Sequence, residues 1–196
     1  MTRTRKFDRD EAIKWVMNKM WLGGFENLSV KFISESLGIT RSSFYHSFTS
    51  REALFIEALN QYYKESPHIK LTQFTQSKSP LRLLTQTFKK TCEIRSNDSK
   101  HRGCFAVNSV SELVGVNKQL GPIIEKAVLE SIKCFENLLN DSIKKNELST
   151  NTNTHELALA LQNILMGLNT MSKVVKSKND LWSATKLNLQ ALKVYA

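Results

Sequence analysis

The sequence predicts an all-α protein in which an N-terminal three-helix unit is joined to a larger helical domain. Three observations support this fold class. Apolar residues recur at helical spacing through most of the 196 residues. Signals that start and stop helices separate these segments. No segment shows the apolar and polar alternation that is typical of a β-strand, and no internal repeat is present.

The composition is ordinary for a globular chain, but its charge is not. The chain is 41% hydrophobic, and its length allows one domain or two small ones that share a helix. Its net charge of +10 suits a partner that is a polyanion. However, residues 1–64 hold ten Lys and Arg against seven Asp and Glu, which leaves +7 for the remainder. The charge is therefore weak support for nucleic-acid binding.

The cysteines and histidines predict neither disulfides nor a metal centre. Three cysteines form no CxxC pair, and four histidines have no ligand spacing, so we expect no metal and no cofactor. Neither a signal peptide nor an apolar run of membrane-spanning length is present, which favours a cytoplasmic protein without a membrane partner. These residues are Cys92, Cys104, Cys134, His46, His68, His101 and His155.

Helix signals are concentrated between residues 28 and 54. Ser29 is placed to cap a short helix whose apolar positions Phe32, Ile33 and Leu37 lie at helical spacing. Gly38 follows and is suited to the left-handed conformation that ends a helix.

A second short helix follows at once. Ile39 is placed to fill the corner, Thr40 to cap the new helix, and Phe44 with Phe48 to anchor its inner side. This is the layout of a helix-turn-helix, whose second helix enters the major groove of DNA. The outward residues that could contact bases or phosphates there are Arg41, Ser42, Ser43, Tyr45 and His46.

These residues resemble the TetR/AcrR family of bacterial transcription regulators. The resemblance covers the first third of the chain through four pieces: the helix 29–37, the turn 38–40, the run 44–48 and the helix start 50–54. It implies a homodimeric repressor that binds a palindromic operator in double-stranded DNA and is released by a small-molecule inducer. It also implies a DNA-binding domain over residues 1–50, a connecting helix over 50–65, and a ligand-binding and dimerisation domain over 66–196.

The resemblance and the residue types together divide the expected DNA contacts into base contacts and phosphate contacts. We expect Arg41, Ser42, Ser43 and His46 to address bases, and Ser29, Thr40, Tyr45 and Arg51 to hold phosphates. Tyr45 could instead belong to the core, and Arg51 could be an ordinary surface arginine. The basic tail 2–6 could contact DNA or be a frayed terminus.

Capping signals predict the remaining helices. Asp8 or Asp10 begins the first, and Thr49 or Ser50 begins the fourth. Ser79 precedes Pro80 at the start of the fifth. The run 102–109 resembles a Gly-Cys stretch in the ligand domain of some family members, and begins a helix that reaches about residue 114.

The last three helices are also predicted from their caps. Gly121 and Pro122 open a long helix, Asn153 with Glu156 caps the next, and Asp180 caps the last. In the family, two long C-terminal helices pair with those of a second chain. The apolar segments 157–175 and 181–194 are compatible with this homodimer.

The family's ligand cavity suggests lining residues that mix apolar surface with polar anchors. Most of these could equally be plain core or surface. The candidates are Phe88, Cys92, Cys104, Phe105, Asn108, Glu112, Met166 and Asn169.

Cys104 also allows a second mechanism. Arg102 lies close in sequence and could favour the thiolate, so that oxidation or electrophile attack at Cys104 would release DNA. The alternative is a small buried apolar residue.

Two other classes of protein are possible for a chain of this kind. An enzyme is disfavoured because no phosphate loop, GxSxG, HExxH or paired Cys/His cluster occurs. A helical protein-interaction module without sequence-specific DNA binding is the remaining alternative.

Overall fold

The computed structural model describes residues 7–67 and 77–196, and within them it contains helices and no strands. The predicted all-α fold class is confirmed, while the basic tail 2–6 lies outside the described residues. The helices are α1 Arg9–Gly23, α2 Val30–Leu37, α3 Arg41–Phe48, α4 Arg51–Glu65, α5 Pro80–Ser96, α6 Phe105–Leu113, α7 Gly121–Lys144, α8 Thr154–Met171 and α9 Lys178–Ala191.

Helices α1 to α4 enclose an aromatic core. The side chains of Phe25, Phe44, Phe48 and Phe55 are at most 1% exposed. Phe25 and Phe55 pack edge to face with ring centroids 5.4 Å apart, a favoured arrangement of aromatic rings. Asp8 caps α1 by accepting hydrogen bonds from the amides of the first turn. This packing holds α3 against α4 and fixes the direction of its outer face.

Helix α2 differs in one respect from the prediction. Ile33 and Ser34 form its buried side, whereas Phe32 is 45% exposed and stacks on Trp15 at a centroid distance of 6.3 Å. Adjacent helical positions lie about 100° apart. Since the buried face centres on Ile33 and Ser34, Phe32 is rotated towards the rim of the core.

Two apolar clusters account for the core. The first joins α1 to α4 with the start of α6 and of α7, through residues such as Phe105, Leu120 and Ile124. The second lies between α5, α7, α8 and α9. The first cluster therefore crosses the boundary predicted at residue 65, and the division into domains stays a prediction.

The predicted caps of α4, α5 and α8 are confirmed. Ser50 accepts from the amide of the third residue of its helix at 3.0 Å, and Ser79 does the same at 3.2 Å. Asn153 accepts from the Glu156 amide at 3.2 Å. The cap predicted at Asp180 is wrong. Ser177 caps α9 by accepting from the Asp180 amide, which places Asp180 inside the first turn.

Gly103 brings the start of α6 against the end of α8. Its φ is +71°, in the left-handed region, and a Cβ atom there would lie 2.8 Å from the Asn169 carbonyl oxygen. Only glycine fits both conditions without strain. This position therefore sets how closely the stretch around Cys104 approaches α8.

Within the described residues, no helix is long and apolar enough to cross a membrane.

Candidate nucleic-acid interface and internal cavity

The outer face of α3 carries the predicted base contacts. Arg41, Ser42, Ser43 and His46 are all exposed, while Phe44 on the same helix is fully buried. The short helix therefore has a polar side that is available to DNA and an apolar side that anchors it.

The turn between α2 and α3 has the geometry of a helix-turn-helix corner. Gly38 has φ +66° and ψ 32°, and the amide of Ile39 donates to the Ser34 carbonyl at 3.0 Å. Thr40 then starts α3 by accepting from the Ser43 amide at 3.1 Å. The Thr40 and Ser43 hydroxyls also share a hydrogen bond of 2.9 Å. The Ile39 amide thus satisfies a carbonyl at the end of α2, and Thr40 satisfies an amide at the start of α3. Both groups would otherwise lack partners at the helix ends.

Two predicted phosphate contacts have geometry that suits the role. The Ser29 hydroxyl accepts from the Phe32 amide at 3.2 Å, so its proton can be donated elsewhere. Tyr45 is 52% exposed, and its ring packs edge to face on Phe44 at 5.4 Å. Tyr45 therefore lies outside the core and presents its phenol to solvent.

Arg51 has an environment that the sequence analysis did not predict. Its guanidinium stacks on the Phe25 ring at 3.9 Å and donates to the Leu28 carbonyl at 3.4 Å. It also pairs with Glu26 at 3.3 Å. These contacts hold the α1–α2 connection against α4, so Arg51 has a structural role and is not a free surface cation.

The structure adds one exposed cation to this face. Lys31 follows Ser29 in the first turn of α2, and its side chain is 67% exposed. Its ion pair with Glu35 is 4.0 Å long and exposed to water, which makes it weak. Its place two residues after the cap was the sequence signal that could have suggested a phosphate contact.

A cavity of about 300 Å³ lies behind this face, between α4, α5, α6, α7 and α8. This volume is at the lower end of the range for ligand pockets, about 300–1,000 Å³. Apolar side chains form most of its wall, and Tyr62, Thr91, Arg95, Gln162 and Asn169 supply polar groups. The apolar lining includes Val107, Val110, Ile124, Val128, Leu165 and Met166.

Three of the eight predicted ligand residues line this cavity: Cys104, Met166 and Asn169. Phe88 and Cys92 do not, because their part of α5 packs in the second apolar cluster, where Phe88 stacks on Phe135 at 6.1 Å.

The other three predicted lining residues also lie elsewhere. Phe105 is buried in the first cluster against Phe55, with ring centroids 5.4 Å apart. Asn108 donates to the Arg102 carbonyl at 2.9 Å. Glu112 accepts from the Glu26 amide at 3.1 Å, on the side of α6 that faces the α1–α2 connection.

A chain of hydrogen bonds crosses the cavity wall. Arg95 is only 4% exposed; its Nε donates to Asn169 Oδ1 and its Nη2 donates to Tyr62 Oη, both at 2.6 Å. Tyr62 Oη in turn donates to Cys104 Sγ at 3.1 Å. Burial holds the pKa of Tyr62 well above its ordinary value. These bonds connect α5 with α8, α4 and the start of α6.

The prediction that Arg102 acts on the Cys104 thiol has no support in this geometry. Arg102 pairs with Asp98 at 3.1 Å and stacks on the Trp21 ring at 3.8 Å. The cation that is connected to Cys104 is Arg95, through the Tyr62 hydroxyl. Proximity in sequence therefore did not identify the cation that is connected to Cys104.

In the described part of the chain, no group of three His, Cys, Asp or Glu side chains could hold a metal ion.

Comparisons with known proteins agree with this geometry. A family model of the tetR family of bacterial regulatory proteins matches residues 18–58. A model of the C-terminal domain of tetracyclin repressor-like proteins matches residues 80–187. ComR, an HTH-type transcriptional repressor of Escherichia coli K12, is 23% identical over 167 residues, which are 85% of this chain and 80% of ComR.

Two further relatives extend over nearly the whole chain. YezE, an uncharacterised HTH-type transcriptional regulator of Bacillus subtilis 168, is 20% identical over 98% of this chain and 100% of its own length. A cysteine-substituted variant of the TetR family regulator CifR, solved with 26-base-pair double-strand operator DNA, has a TM-score of 0.85 and 25% identity. That match covers 96% of this chain and 98% of CifR.

A helix-turn-helix with an exposed polar second helix, carried on an all-helical body, defines the class of DNA-binding transcription regulators. Since the C-terminal family model spans more than half of the residues, the chain belongs to the TetR family.

Proposed function

We propose that this TetR family regulator is a homodimeric repressor that acts in the cytoplasm without a catalytic step. It binds a palindromic operator and leaves it when a small molecule occupies the cavity behind the DNA-binding helices. The observation that carries this proposal is the position of Tyr62. It lies on α4, against the core that supports α3, and it also lines the cavity.

The exposed residues of the DNA-binding face have separate roles in this proposal. Arg41, Ser42, Ser43 and His46 contact base edges, because the first turns of a recognition helix enter the major groove. Ser29, Lys31, Thr40 and Tyr45 contact phosphates and fix the register. The contacts of Arg51 with Phe25 and Glu26 support a structural role, and its phosphate contact stays a prediction.

Repression by ComR and the operator complex of CifR support the DNA-binding part of the proposal. A single helix-turn-helix contacts few base pairs, whereas a two-fold dimer reads half-sites about 34–36 Å apart. Affinity and specificity therefore both require a second copy.

Exposed apolar side chains on the C-terminal helices support dimerisation. Leu159 on α8 is 40% exposed and Leu187 on α9 is 67% exposed. A second copy that covers them would remove this surface from water. Sedimentation of Leu187→Glu should show a monomer, while Val116→Glu, which changes an exposed residue between α6 and α7, should stay a dimer. Dimers from both variants would contradict this interface.

The main experiment is selection of bound duplexes from a random DNA library by the wild-type protein and by the Arg41→Ala Tyr45→Phe double variant. An enriched palindrome that the variant loses is expected. An intact, folded dimer that enriches no sequence at any salt concentration would overturn the proposal and favour a protein-interaction module.

The single variants separate the two kinds of contact. Arg41→Ala should relax specificity at one position of each half-site at a cost of about 1–3 kcal/mol. Tyr45→Phe should weaken binding to all sequences alike. Equal losses on operator and random DNA for both variants would contradict this division of roles.

A thiol-sensing function is a second candidate, because Cys104 lines the cavity and accepts a hydrogen bond from Tyr62. Burial raises the pKa of the Cys92 and Cys134 thiols, which lowers their reactivity. Alkylation by N-ethylmaleimide in a Cys92→Ser Cys134→Ser background should release operator DNA, and added Cys104→Ser should abolish the effect. Complete alkylation of Cys104 with unchanged DNA affinity would exclude this function.

A further inference from the structure

The structure assigns a chemical class to the ligand: we infer that the cavity takes a small organic anion whose carboxylate binds Arg95 and whose apolar part lies against α6 and α7. This inference rests on the proposed ligand-binding function. It deepens that proposal by naming the charge of the ligand and the residue that recognises it.

Arg95 is a buried cation whose recorded partners are all neutral. It is 4% exposed, and its hydrogen bonds go to the side-chain oxygens of Asn169 and Tyr62. Among the described residues, the structure records no ion pair for it. A buried guanidinium stays charged and is costly without a counter-ion, so an anion that enters the cavity gains a strong partner.

The guanidinium has donors left for such an anion. It carries five N–H groups, and the bonds to Asn169 and Tyr62 use one on Nε and one on Nη2. The remaining three lie on the two terminal nitrogens. This pair of nitrogens is the part of arginine that binds a carboxylate in a bidentate manner.

The other charged residue among the described lining residues does not neutralise Arg95. Glu130 is exposed on α7, and its recorded ion pair is with Lys126 of the same helix at 3.8 Å. The opposite part of the wall is apolar, with Val107, Val110 and Ile124. A carboxylate with a short hydrocarbon or aromatic body matches both parts.

Binding of an anion would act directly on the connection to the DNA-binding helices. The Tyr62 hydroxyl lies 2.6 Å from Arg95 Nη2 and at present donates to Cys104. A carboxylate on Arg95 can accept that same hydroxyl proton, which would release Cys104 and shift Tyr62 on α4. The ligand thus distinguishes two arrangements of α4, as a ligand that releases DNA must.

The test uses carboxylates and their neutral amides as probes on the full chain: octanoate against octanamide, and benzoate against benzamide. Calorimetry should show at least one acid that binds ten or more times more tightly than its amide. Arg95→Gln should abolish this preference, and Arg95→Lys should retain part of it. Arg82→Gln, on the exposed side of the same helix, should retain it in full.

Three results would overturn the assignment. These are equal binding of acid and amide, a preference for the acid that persists in folded Arg95→Gln, and no binding of either acid. Anisotropy with labelled operator separates this inference from the proposed function. An acid that binds through Arg95 but leaves DNA affinity unchanged would contradict ligand release, whereas release by neutral compounds alone would contradict the anion class.

Discussion

Arg95 Nη2 donates a 2.6 Å hydrogen bond to Tyr62 Oη, and this bond joins α5 of the C-terminal part to α4 of the DNA-binding part. Both side chains are at most 5% exposed. The bond therefore lies in a medium where a hydrogen bond is strong and where its loss is costly. Under the proposed function, this bond is the connection through which occupancy of the cavity would act on α3.

Removal of the Tyr62 hydroxyl should destabilise the protein. In Tyr62→Phe the ring still packs on Trp21, whose centroid is 4.9 Å away, but Arg95 loses an acceptor and Cys104 loses a donor. An unsatisfied buried polar group costs about 1–3 kcal/mol. Urea unfolding should show this loss. Tyr63→Phe is the control, since the Tyr63 hydroxyl has no recorded hydrogen bond to a described residue. Equal losses in both variants would contradict the link.

Stability should fall at alkaline pH because of the same two tyrosines. Burial, then the nearby Cys104 and Glu130, raises the pKa of Tyr63 to about 12, and the pKa of Tyr62 is also raised. In the unfolded chain a tyrosine ionises near pH 10, so above that pH the unfolded state loses protons that the folded state keeps. The stabilisation is fully present below pH ~10 and is lost as pH rises towards the folded pKa.

The measurement is the free energy of unfolding between about pH 9 and pH 11.5. Each such tyrosine contributes a slope of up to about 1.4 kcal/mol per pH unit. The free energy of unfolding of Tyr63→Phe should therefore fall less steeply with pH than that of the wild type. For Tyr45→Phe, which changes an exposed tyrosine, it should fall as steeply as for the wild type. A stability that rises over this range would contradict the assignment.

The DNA-binding helices could be predicted from the sequence because their signals are local. Ser29 and Thr40 accept from amides within a few residues, and the Gly38 amide donates to carbonyls of the preceding turn. Phe44 and Phe48 define the inner face of one short helix. The contacts of Arg51 could not be predicted from such local signals. Its contacts with Phe25 and Glu26 join positions that are 25 or more residues apart, and no spacing rule specifies them.

The cavity could be predicted only in part, because tertiary packing decides which side of each helix faces it. Phe88 and Cys92 were reasonable candidates on α5, but that part of the helix packs in the second apolar cluster. Arg95 continues the same helical stripe three residues after Cys92. An arginine at an apolar position was the signal that could have found the buried cation.

The corner of the helix-turn-helix should require glycine at Gly38 only because of the backbone conformation there. Its φ is +66°, and a Cβ atom there would meet nothing within 4 Å. Gly38→Ala should therefore cost only the left-handed penalty of a side chain, about 1–2 kcal/mol. Thermal unfolding measures this directly. A neutral or stabilising effect would show that the turn relaxes to another conformation.

Gly103 should be far more sensitive than Gly38, although the two have similar φ values. Gly103→Ala carries the same left-handed penalty, of about 1–2 kcal/mol, and in addition places its Cβ 2.8 Å from the Asn169 carbonyl oxygen. Backbone cannot yield as a flexible side chain does, so α6 and α8 must separate. Since Asn169 holds Arg95, the change should also weaken the bond to Tyr62. We expect a loss of stability clearly larger than for Gly38→Ala, together with loss of the preference for an acid over its amide. Equal costs for the two glycines, with that preference intact, would mean that the contact between α6 and α8 is not needed to position Arg95.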